Sequence, residues 1–398
     1  MREAVALVLA GGRIQGYGVL TLNRAKAALP FAGFYRIVDF ALSSLSRSGI
    51  ERVGLICQYL PASLIEHVGA GEPWGFNGFG RELRIMPPFV GVGNIEWFRG
   101  TADAIYQNLN FIYDWNPEHV IICSAEHVYS LDFADLLAFH KAVGADLTVV
   151  DKALPPDRLS RRFGYVLSDG EGRVTQFVEK PETPPTNRIS IGIYVFEKDV
   201  LVERLERLGQ GEKSFNLARD IIPGMVRTHR VVRYACEGYW NYLETVEDYY
   251  RANRSLLGEE APIDLEEWEV LTNLNDRELA RRPSAFFGAS AAVRDSLISP
   301  GCRIEGTVEN SVLSPGVVVE AGAVVRDSVL MHDVRVEQDT RLSQVVSDKD
   351  VVFGRGTVLG VCEEMADERL LQLTLVGKGF TLTAESRLQW MPRTAMQD

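Results

Sequence analysis

The sequence has few cysteines and histidines and no long hydrophobic run. Its five cysteines stand alone among 398 residues, without a Cys-x-x-Cys pair, which favours buried thiols over disulfides or a zinc site. Its six histidines show no spacing typical of metal ligands. No apolar run reaches the length of a membrane span, and the N-terminus has no signal-peptide pattern. We therefore expect a cytoplasmic protein with no membrane partner.

The sequence also lacks an excess of positive charge. Its net charge is -12, which argues against a nucleic-acid partner or an anionic membrane surface. With 46% hydrophobic and 24% charged residues, the composition is that of an ordinary globular protein. A chain of 398 residues is more typical of two domains than of one.

Residues 1–255 alternate between strand-like and helix-like patterns. Short apolar runs such as "AVALVLA", "RVGLICQ" and "HVIICSA" predict buried strands, and "FADLLAFHKAV" has the apolar spacing of a helix. This alternation predicts an α/β domain with a mostly parallel sheet that is covered on both faces. Ligands bind such sheets at the carboxyl ends of the strands. The "AGG" turn that follows the first predicted strand therefore lies at a suitable place for a ligand.

A six-residue period of aliphatic residues begins near residue 283. We predict an irregular linker over 256–282, a hexapeptide-repeat parallel β-helix over 283–362, with one inward aliphatic residue per flat side, and a separate tail over 363–398. The aliphatic residues at six-residue spacing are Ile298 and Ile304; Val312, Val318, Val324, Leu330, Val336 and Leu342; and Val346, Val352 and Val358.

Several motifs follow one another in a specific order along the first domain. They are "LVLAGGRIQGYGV", "RAKAALPF", "WFRGTADAIYQN", "SAEHVY", "FVEKPETPP" and "SIGIYVF". This ordered set resembles the sugar-1-phosphate nucleotidyltransferases, and in particular the glucose-1-phosphate adenylyltransferase family. The resemblance implies a Rossmann-like nucleotidyltransferase domain followed by a left-handed parallel β-helix. It also implies that ATP and glucose 1-phosphate react to ADP-glucose and pyrophosphate with Mg²⁺, in an allosteric tetramer that serves glycogen or starch synthesis.

The resemblance assigns roles to individual residues. It places Ala10, Gly11, Gly12, Gln58, Gly100, Thr101 and Ala102 at the nucleotide, with Thr101 also expected as a helix N-cap. It places Gly164, Glu179, Lys180 and Ser190 at the sugar phosphate. Arg13, Lys26 and Glu126 stand at catalytic positions, and Glu126 is also the expected metal ligand.

Other positions depart from the family pattern, mainly on the triphosphate and metal side. In the family's Gly-Gly-Arg-Gly-Thr-Arg-Leu loop, this sequence has Ile14 in place of a glycine and Gly16 in place of the clamping arginine. The metal aspartate of "GDH" is Glu126 here, which extends the carboxylate by about 1.5 Å. The second metal aspartate is Tyr242, and a phenol is a poor Mg²⁺ ligand at neutral pH. Mg²⁺ binding is therefore in doubt.

Three hypotheses remain open. The chain is an active sugar-1-phosphate nucleotidyltransferase with an altered metal site, or a weak or silent ligand-binding subunit that regulates an active homologue. In both cases ATP or ADP-glucose and glucose 1-phosphate are the expected ligands, in a homotetramer or a mixed tetramer. The third hypothesis, an acyltransferase or scaffold based on the hexapeptide domain, has little support because His332 is the only histidine there. The losses on one side of the site favour the regulatory subunit.

Overall fold

The computed structural model describes residues 3–11, 15–88, 97–209, 216–258, 261–265, 267–276, 279–360 and 373–386. The first domain contains strands β1 to β13. They are β1 (Ala4–Leu9), β2 (Pro30–Phe31), β3 (Tyr35–Arg36), β4 (Arg52–Ile56), β5 (Glu82–Met86), β6 (His119–Ser124), β7 (His127–Tyr129), β8 (Leu147–Ala153), β9 (Gly164–Ser168), β10 (Val174–Glu179), β11 (Arg188–Glu197), β12 (Val231–Ala235) and β13 (Trp240–Tyr242).

The helices of this domain alternate with the strands. They are α1 (Ile37–Arg47), α2 (Ala62–Val68), α3 (Thr101–Tyr106), α4 (Leu109–Trp115), α5 (Phe133–Ala142), α6 (Lys198–Gly209), α7 (Ile222–Val226) and α8 (Val246–Arg254). Short 3₁₀ segments span Gln15–Thr21, Lys26–Ala28, Glu72–Trp74 and Pro156–Arg158, and a π-helical turn spans Leu217–Ile221. The predicted strand–helix alternation is confirmed.

A nine-stranded mixed sheet forms the centre of the first domain. Its main path runs β10-β9-β11-β6-β1-β4-β5, and β8 pairs with both β11 and β12. Strands β4, β5 and β6 run parallel to β1, whereas β11 pairs antiparallel to β6 and β10 antiparallel to β9. The sheet is therefore mostly parallel, as predicted.

Strand β1 lies in the middle of the sheet because apolar residues occupy both of its faces. Ala4, Ala6 and Val8 belong to the core on one face, and Val5 and Leu7 belong to the core on the other. All five side chains are fully buried. Strands that are buried on both faces are typical of a parallel sheet with covered faces. Ligands bind such sheets at the carboxyl ends of the strands, so the residues after β1 lie at a suitable place.

The second domain is a parallel β-helix with three sheets, as predicted. One sheet contains Phe286–Phe287, Arg303–Ile304, Val318–Val319, Arg335–Val336, Val352–Phe353 and Thr381–Leu382. A second contains Ala292–Arg294, Thr307–Glu309, Val324–Arg326, Arg341–Ser343 and Val358–Leu359. The third contains Leu297–Ile298, Val312–Leu313, Val329–Leu330, Val345–Ser347 and Thr374–Val376.

The inward-facing positions do not follow a strict six-residue period. Val319 pairs with Val336, and Val336 with Phe353, so each of these coils takes 17 residues. Three sides of six residues each would need 18 residues, so a 17-residue coil has one side of only five. The positions that face inwards therefore shift by one residue relative to a strict six-residue period. Leu330, Val336 and Leu342 belong to the interior core as predicted. At other coils the interior residue is one position later than predicted, and these residues are Leu313, Val319, Val325 and Phe353. At the predicted Val346 it is one position earlier: Val345 lies in the interior core, and Val346 belongs to the core shared with the first domain.

The tail expected from residue 363 also differs from the prediction. Thr374–Val376 and Thr381–Leu382 pair with the last coil and extend two of the three sheets. Val376 and Leu382 bury their side chains in the interior core. The sequence did not reveal this extension, because the six-residue period breaks between residues 359 and 373 and resumes only for these two strands.

The segment between the two domains packs against the first domain. The Trp268 ring lies edge-on to Phe40 at 5.9 Å, in a core to which both domains contribute. His67 Nε2 lies 2.6 Å from Asp39 Oδ1, and its Nδ1 lies 3.1 Å from Asp276 Oδ2. The linker is therefore anchored through a buried histidine. Across the described residues, no helix is long and apolar enough to span a membrane.

Candidate functional site

The predicted nucleotide loop begins at the carboxyl end of β1. The Ala10 amide donates a hydrogen bond of 2.8 Å to the Ile56 carbonyl, which ties the loop to the end of β4. A Cβ added at Gly11 would lie 2.7 Å from the backbone nitrogen of Gln58, so only glycine permits this approach. The structure thus brings Gly11 and Gln58 together. Gly12, Arg13 and Ile14 lie outside the described residues.

The second predicted nucleotide contact lies at the start of α3. Thr101 is the first helical residue and not the N-cap, because Gly100 occupies the cap position. Instead, Thr101 Oγ1 accepts a hydrogen bond of 3.0 Å from the Leu217 amide, and its own amide donates to Asn216 Oδ1 at 3.1 Å. Thr101 therefore joins α3 to the π-helical turn, and Ala102 is fully buried behind it.

Lys26 and Glu126 lie next to each other beside two tyrosine rings. Lys26 Nζ is 3.8 Å from Glu126 Oε2 and 5.7 and 5.8 Å from the ring centres of Tyr17 and Tyr242. The Lys26 side chain is 2% exposed. Burial lowers its pKa, and the Glu126 carboxylate partly offsets that change. Two of the three charged residues at the predicted catalytic positions therefore face each other within the protein.

Tyr242 fills the position where the resemblance places the second metal aspartate. Its backbone pairs with that of His127 between β13 and β7, and its ring stacks on Trp240 at 6.1 Å. The Arg162 guanidinium lies 5.6 Å from the ring centre. Burial, followed by the charge of Glu244, raises the pKa of Tyr242 well above its ordinary value. The residue is therefore a neutral aromatic side chain at neutral pH.

These side chains fit a Mg²⁺ ion poorly. Magnesium requires hard oxygen ligands in a strict octahedral arrangement. Of the two expected ligand positions, only Glu126 carries a carboxylate, and the Lys26 ammonium lies beside it. Two further carboxylates nearby, Glu244 and Asp248, lie 3.0 and 3.2 Å from Arg162 Nη1. An ion at this place would have to compete with both cations.

Gly16, which stands where the resemblance predicts an arginine, is closely packed. A Cβ added at Gly16 would lie 2.8 Å from the Glu244 carbonyl oxygen. The next residue, Tyr17, is fully buried, and its hydroxyl donates a hydrogen bond of 2.9 Å to the Leu243 carbonyl. The loop therefore lies against the Glu244 backbone, which leaves no room for a longer side chain in this conformation.

Three of the four predicted sugar-phosphate residues lie side by side on neighbouring strands, and Lys180 follows the end of one of them. Gly164 pairs with Glu179 across β9 and β10, and with Ser190 across β9 and β11. A Cβ added at Gly164 would lie 2.7 Å from Glu179 Oε2, so the glycine makes space for this carboxylate. Ser190 Oγ lies 3.1 Å from the Tyr194 hydroxyl. The structure thus assembles the predicted polar groups into one cluster.

Two features of this cluster are typical of a ligand site. Burial raises the pKa of Glu179, although the Lys180 and Arg219 cations counteract the effect. Lys180 is exposed and takes a positive φ of 50°, which is uncommon for a residue other than glycine. Its amide donates to the Phe163 carbonyl at 3.1 Å. Strained backbone of this kind is concentrated at functional sites.

His127 packs against Tyr242, the ring that Lys26 also contacts. Burial lowers the pKa of His127 to about 3, and the Lys26 ammonium adds to the effect. The imidazole is therefore neutral at physiological pH and adds no charge to the site. The spacing of histidines in the sequence does not indicate this role, because it results from packing against Tyr242 and Trp240.

The sequence profile that describes nucleotidyl transferases matches residues 5–259. The chain belongs to the nucleotidyl transferase family. In this nucleotidyl transferase, residues 283–382 also match the profile of a GlmU-like C-terminal hexapeptide domain. That match includes the two strands beyond residue 373, in agreement with their place in the β-helix.

Several curated relatives of this nucleotidyl transferase carry one name. A glucose-1-phosphate adenylyltransferase of Acetivibrio thermocellus is 34% identical over 388 residues, which cover 96% of this chain and 89% of the relative. One of Bacillus cytotoxicus is 37% identical over 362 residues, covering 90% of this chain and 95% of the relative. One of Desulfitobacterium hafniense is 37% identical over 353 residues, covering 88% of both chains.

Sequence reasoning missed the contacts around Lys26 and Tyr242 in this nucleotidyl transferase. Tyr17 lies beside Lys26, and Arg162, which belongs to none of the quoted motifs, lies beside Tyr242. Arg162 also pairs with Glu244. This pair becomes apparent only when the two segments are folded together.

Proposed function

We propose that this chain binds ADP-glucose or glucose 1-phosphate and catalyses adenylyl transfer weakly or not at all. In this proposal it acts as a regulatory subunit in a tetramer with an active homologue. The observation that carries the proposal is the contact of Lys26 with Glu126 next to Tyr242. Lys26, which is expected at the triphosphate, contacts Glu126, which is expected at the metal. Lys26 also contacts the Tyr242 ring.

The sugar side supports retained binding. Gly164, Glu179 and Ser190 lie on adjacent strands, and Lys180 follows directly at the surface. A carboxylate and a hydroxyl suit sugar hydroxyl groups, and an exposed ammonium suits a phosphate. We expect ATP to bind less well than ADP-glucose, because binding of its β- and γ-phosphates requires Lys26 to leave its buried position.

The regulatory role requires an intact subunit interface and a ligand that favours one quaternary state. The β-helix supports such assembly, since its coils continue in register to Leu382. We propose a homotetramer or a mixed tetramer. Light scattering of the purified chain at micromolar concentration tests this assembly, and a monomer would contradict it.

The decisive experiment is a pyrophosphorolysis assay of the purified chain with ADP-glucose, pyrophosphate and Mg²⁺. We expect turnover far below the usual enzyme range of about 1–10³ per second, because loss of one charge-stabilising contact commonly costs about a hundredfold. The assay is then repeated after co-expression with an active homologue from the same cell. Co-purification and a changed effector response are expected.

The alternative function is a stand-alone sugar-1-phosphate nucleotidyltransferase with an altered metal site. Glu126 favours it, because the position keeps a carboxylate with 20% of its side chain exposed. Turnover in the usual enzyme range, or failure of the two chains to co-purify, would make this alternative the better account. Calorimetry with ADP-glucose is a control for both functions, since each of them requires that the chain binds ADP-glucose.

A further inference from the structure

Two histidines and a glutamate meet at the opposite end of the central sheet. His119 opens β6 and Glu197 closes β11, and the two residues are direct partners in the antiparallel pairing. His140 lies on α5, which packs on this part of the sheet. The nucleotide and sugar residues are at the other end of β6, beyond Ser124. The cluster is therefore separate from the site described above.

The donor atoms of this cluster have the spacing of metal ligands. Glu197 Oε1 lies 3.1 Å from His119 Nδ1 and 3.5 Å from His140 Nε2. In a tetrahedral Zn²⁺ site with bonds of about 2.0–2.1 Å, two ligand atoms are about 3.3 Å apart. All three donor atoms lie within 4.8 Å of one another. A small side-chain adjustment would bring them around one ion.

The two ring nitrogens have no hydrogen-bond partner within the described part of the chain. His119 is 5% exposed and His140 is fully buried, yet His119 Nδ1 and His140 Nε2 make no hydrogen bond. The Glu197 oxygen lies close to both nitrogens without forming a hydrogen bond to either. Buried polar atoms without a partner are costly, and bound ions are one way in which proteins satisfy them.

A neighbouring hydroxyl sets the orientation of one imidazole. His140 Nδ1 lies 2.7 Å from Thr148 Oγ1, and both residues are fully buried. When Nδ1–H donates to this hydroxyl, Nε2 carries the lone pair that a metal ion can accept. Metal-bound histidines commonly have such a partner on the second nitrogen.

We propose that His119, His140 and Glu197 bind one divalent transition-metal ion of the Zn²⁺ class. Two imidazoles and one carboxylate are typical Zn²⁺ ligands, whereas Mg²⁺ prefers oxygen ligands and should not bind here. Glu197 is 41% exposed on its side chain, which provides a path for the ion and a place for a water ligand. The bound ion joins α5 to β6 and β11.

The test uses the full chain after treatment with a chelator and removal of the chelator. Equilibrium dialysis against ZnCl₂ is followed by measurement of bound metal, and CoCl₂ gives an independent optical signal of four-coordinate binding. We expect one Zn²⁺ per chain, and no displacement of Zn²⁺ by excess MgCl₂. Absence of stoichiometric Zn²⁺ binding by the wild type would overturn the proposal.

Variants connect the ion to these residues. Glu197→Gln should weaken Zn²⁺ binding at least tenfold, and this half-exposed position should tolerate the change without loss of folding. Thr148→Val leaves all three ligands in place and should weaken binding about 10–100-fold. His229→Gln is the matched control, because His229 contacts Thr228 and Arg204 outside the cluster. Equal Zn²⁺ binding by Glu197→Gln and wild type would contradict the assignment.

Discussion

At the scale of single residues, the ammonium of Lys26 is enclosed by the Glu126 carboxylate and the rings of Tyr17 and Tyr242. Tyr242 stands where the resemblance predicts a carboxylate, and its ring contacts both Lys26 and Arg162. A cation beside an aromatic ring in a dry environment is stabilised without any ligand. At a position where the resemblance predicts a metal ligand, the two cations therefore have an aromatic partner within the protein.

Placing aspartate at both expected metal positions should raise the rate of adenylyl transfer. We expect Glu126→Asp combined with Tyr242→Asp to accelerate pyrophosphorolysis at least tenfold, with little effect of either change alone, because groups that act as one unit are not additive. Arginine is not restored at Gly16, since even a Cβ would lie 2.8 Å from the Glu244 carbonyl. Tyr242→Phe is the control, since it keeps the ring. A similar acceleration by Tyr242→Phe would show that a carboxylate is not the missing element.

At the scale of elements, strands β9, β10 and β11 arrange the sugar-phosphate cluster. Their register places Gly164 between Glu179 and Ser190. The positive φ of Lys180 turns the chain away from β10 directly after Glu179. Residues that are 15 and 26 positions away from Gly164 in the sequence thus become neighbours through strand pairing.

Lys180→Ala should weaken ADP-glucose binding by about 1.5–3 kcal/mol, the usual contribution of a hydrogen bond to a charged group. Isothermal titration calorimetry measures this change. Lys378→Ala is the matched control, because Lys378 is an exposed lysine of the β-helix near Asp350. Equal losses in both variants would indicate a general charge effect and would contradict the assignment of Lys180.

Strand β7 contains His127, and its burial predicts a pH dependence of stability. The folded-state pKa is about 3, well below the ordinary value of 6.5, so the unfolded chain binds a proton that the folded chain does not. The free energy of unfolding should therefore fall as the pH decreases from about 6.5 towards 3. Denaturant unfolding at several pH values measures the slope, which His127→Gln should reduce. His229→Gln is the control, and an unchanged slope in His127→Gln would refute the attribution.

At the scale of the whole molecule, a shared core joins the two domains. Tyr17, Phe31 and Tyr249 from the first domain belong to the same core as Val312 and Val329 of the β-helix. Polar contacts add to this interface, such as the 2.7 Å hydrogen bond from Tyr250 to the Asp327 carbonyl. Because Tyr17 also contacts Lys26, the β-helix supports the part of the chain that forms the candidate site.

The buried ion pair between Arg24 and Asp348 should be a sensitive point of this interface. Arg24 Nη1 lies 2.7 Å from Asp348 Oδ1, and the two side chains are 4% and 1% exposed. Arg24→Ala leaves a buried carboxylate unpaired and should cost about 3–5 kcal/mol in the free energy of unfolding. The double variant Arg24→Met with Asp348→Leu should recover most of this loss. Urea unfolding distinguishes the outcomes, and equal stability of Arg24→Ala and wild type would mean that the pair is not desolvated.

The sequence by itself determined the two-domain architecture and the family. Buried runs such as Ala4–Leu9 predict a central strand wherever they occur in an α/β protein, because both faces must be covered. The aliphatic repeat predicts a β-helix for a similar reason, since one side chain per strand has to point inwards. The predicted sugar-phosphate residues follow from short motifs whose members strand pairing then brings together.

Only the tertiary structure decided how the charges of the site are used. Lys26 and Glu126 are 100 positions apart, and no local pattern shows that Tyr17 and Tyr242 lie beside them. The same applies to His119, His140 and Glu197, whose sequence spacing matches no metal motif. Coil length in the β-helix is likewise a tertiary property, because 15- and 17-residue coils both satisfy strand pairing. Local preference determines elements, whereas contacts between distant segments determine the chemistry.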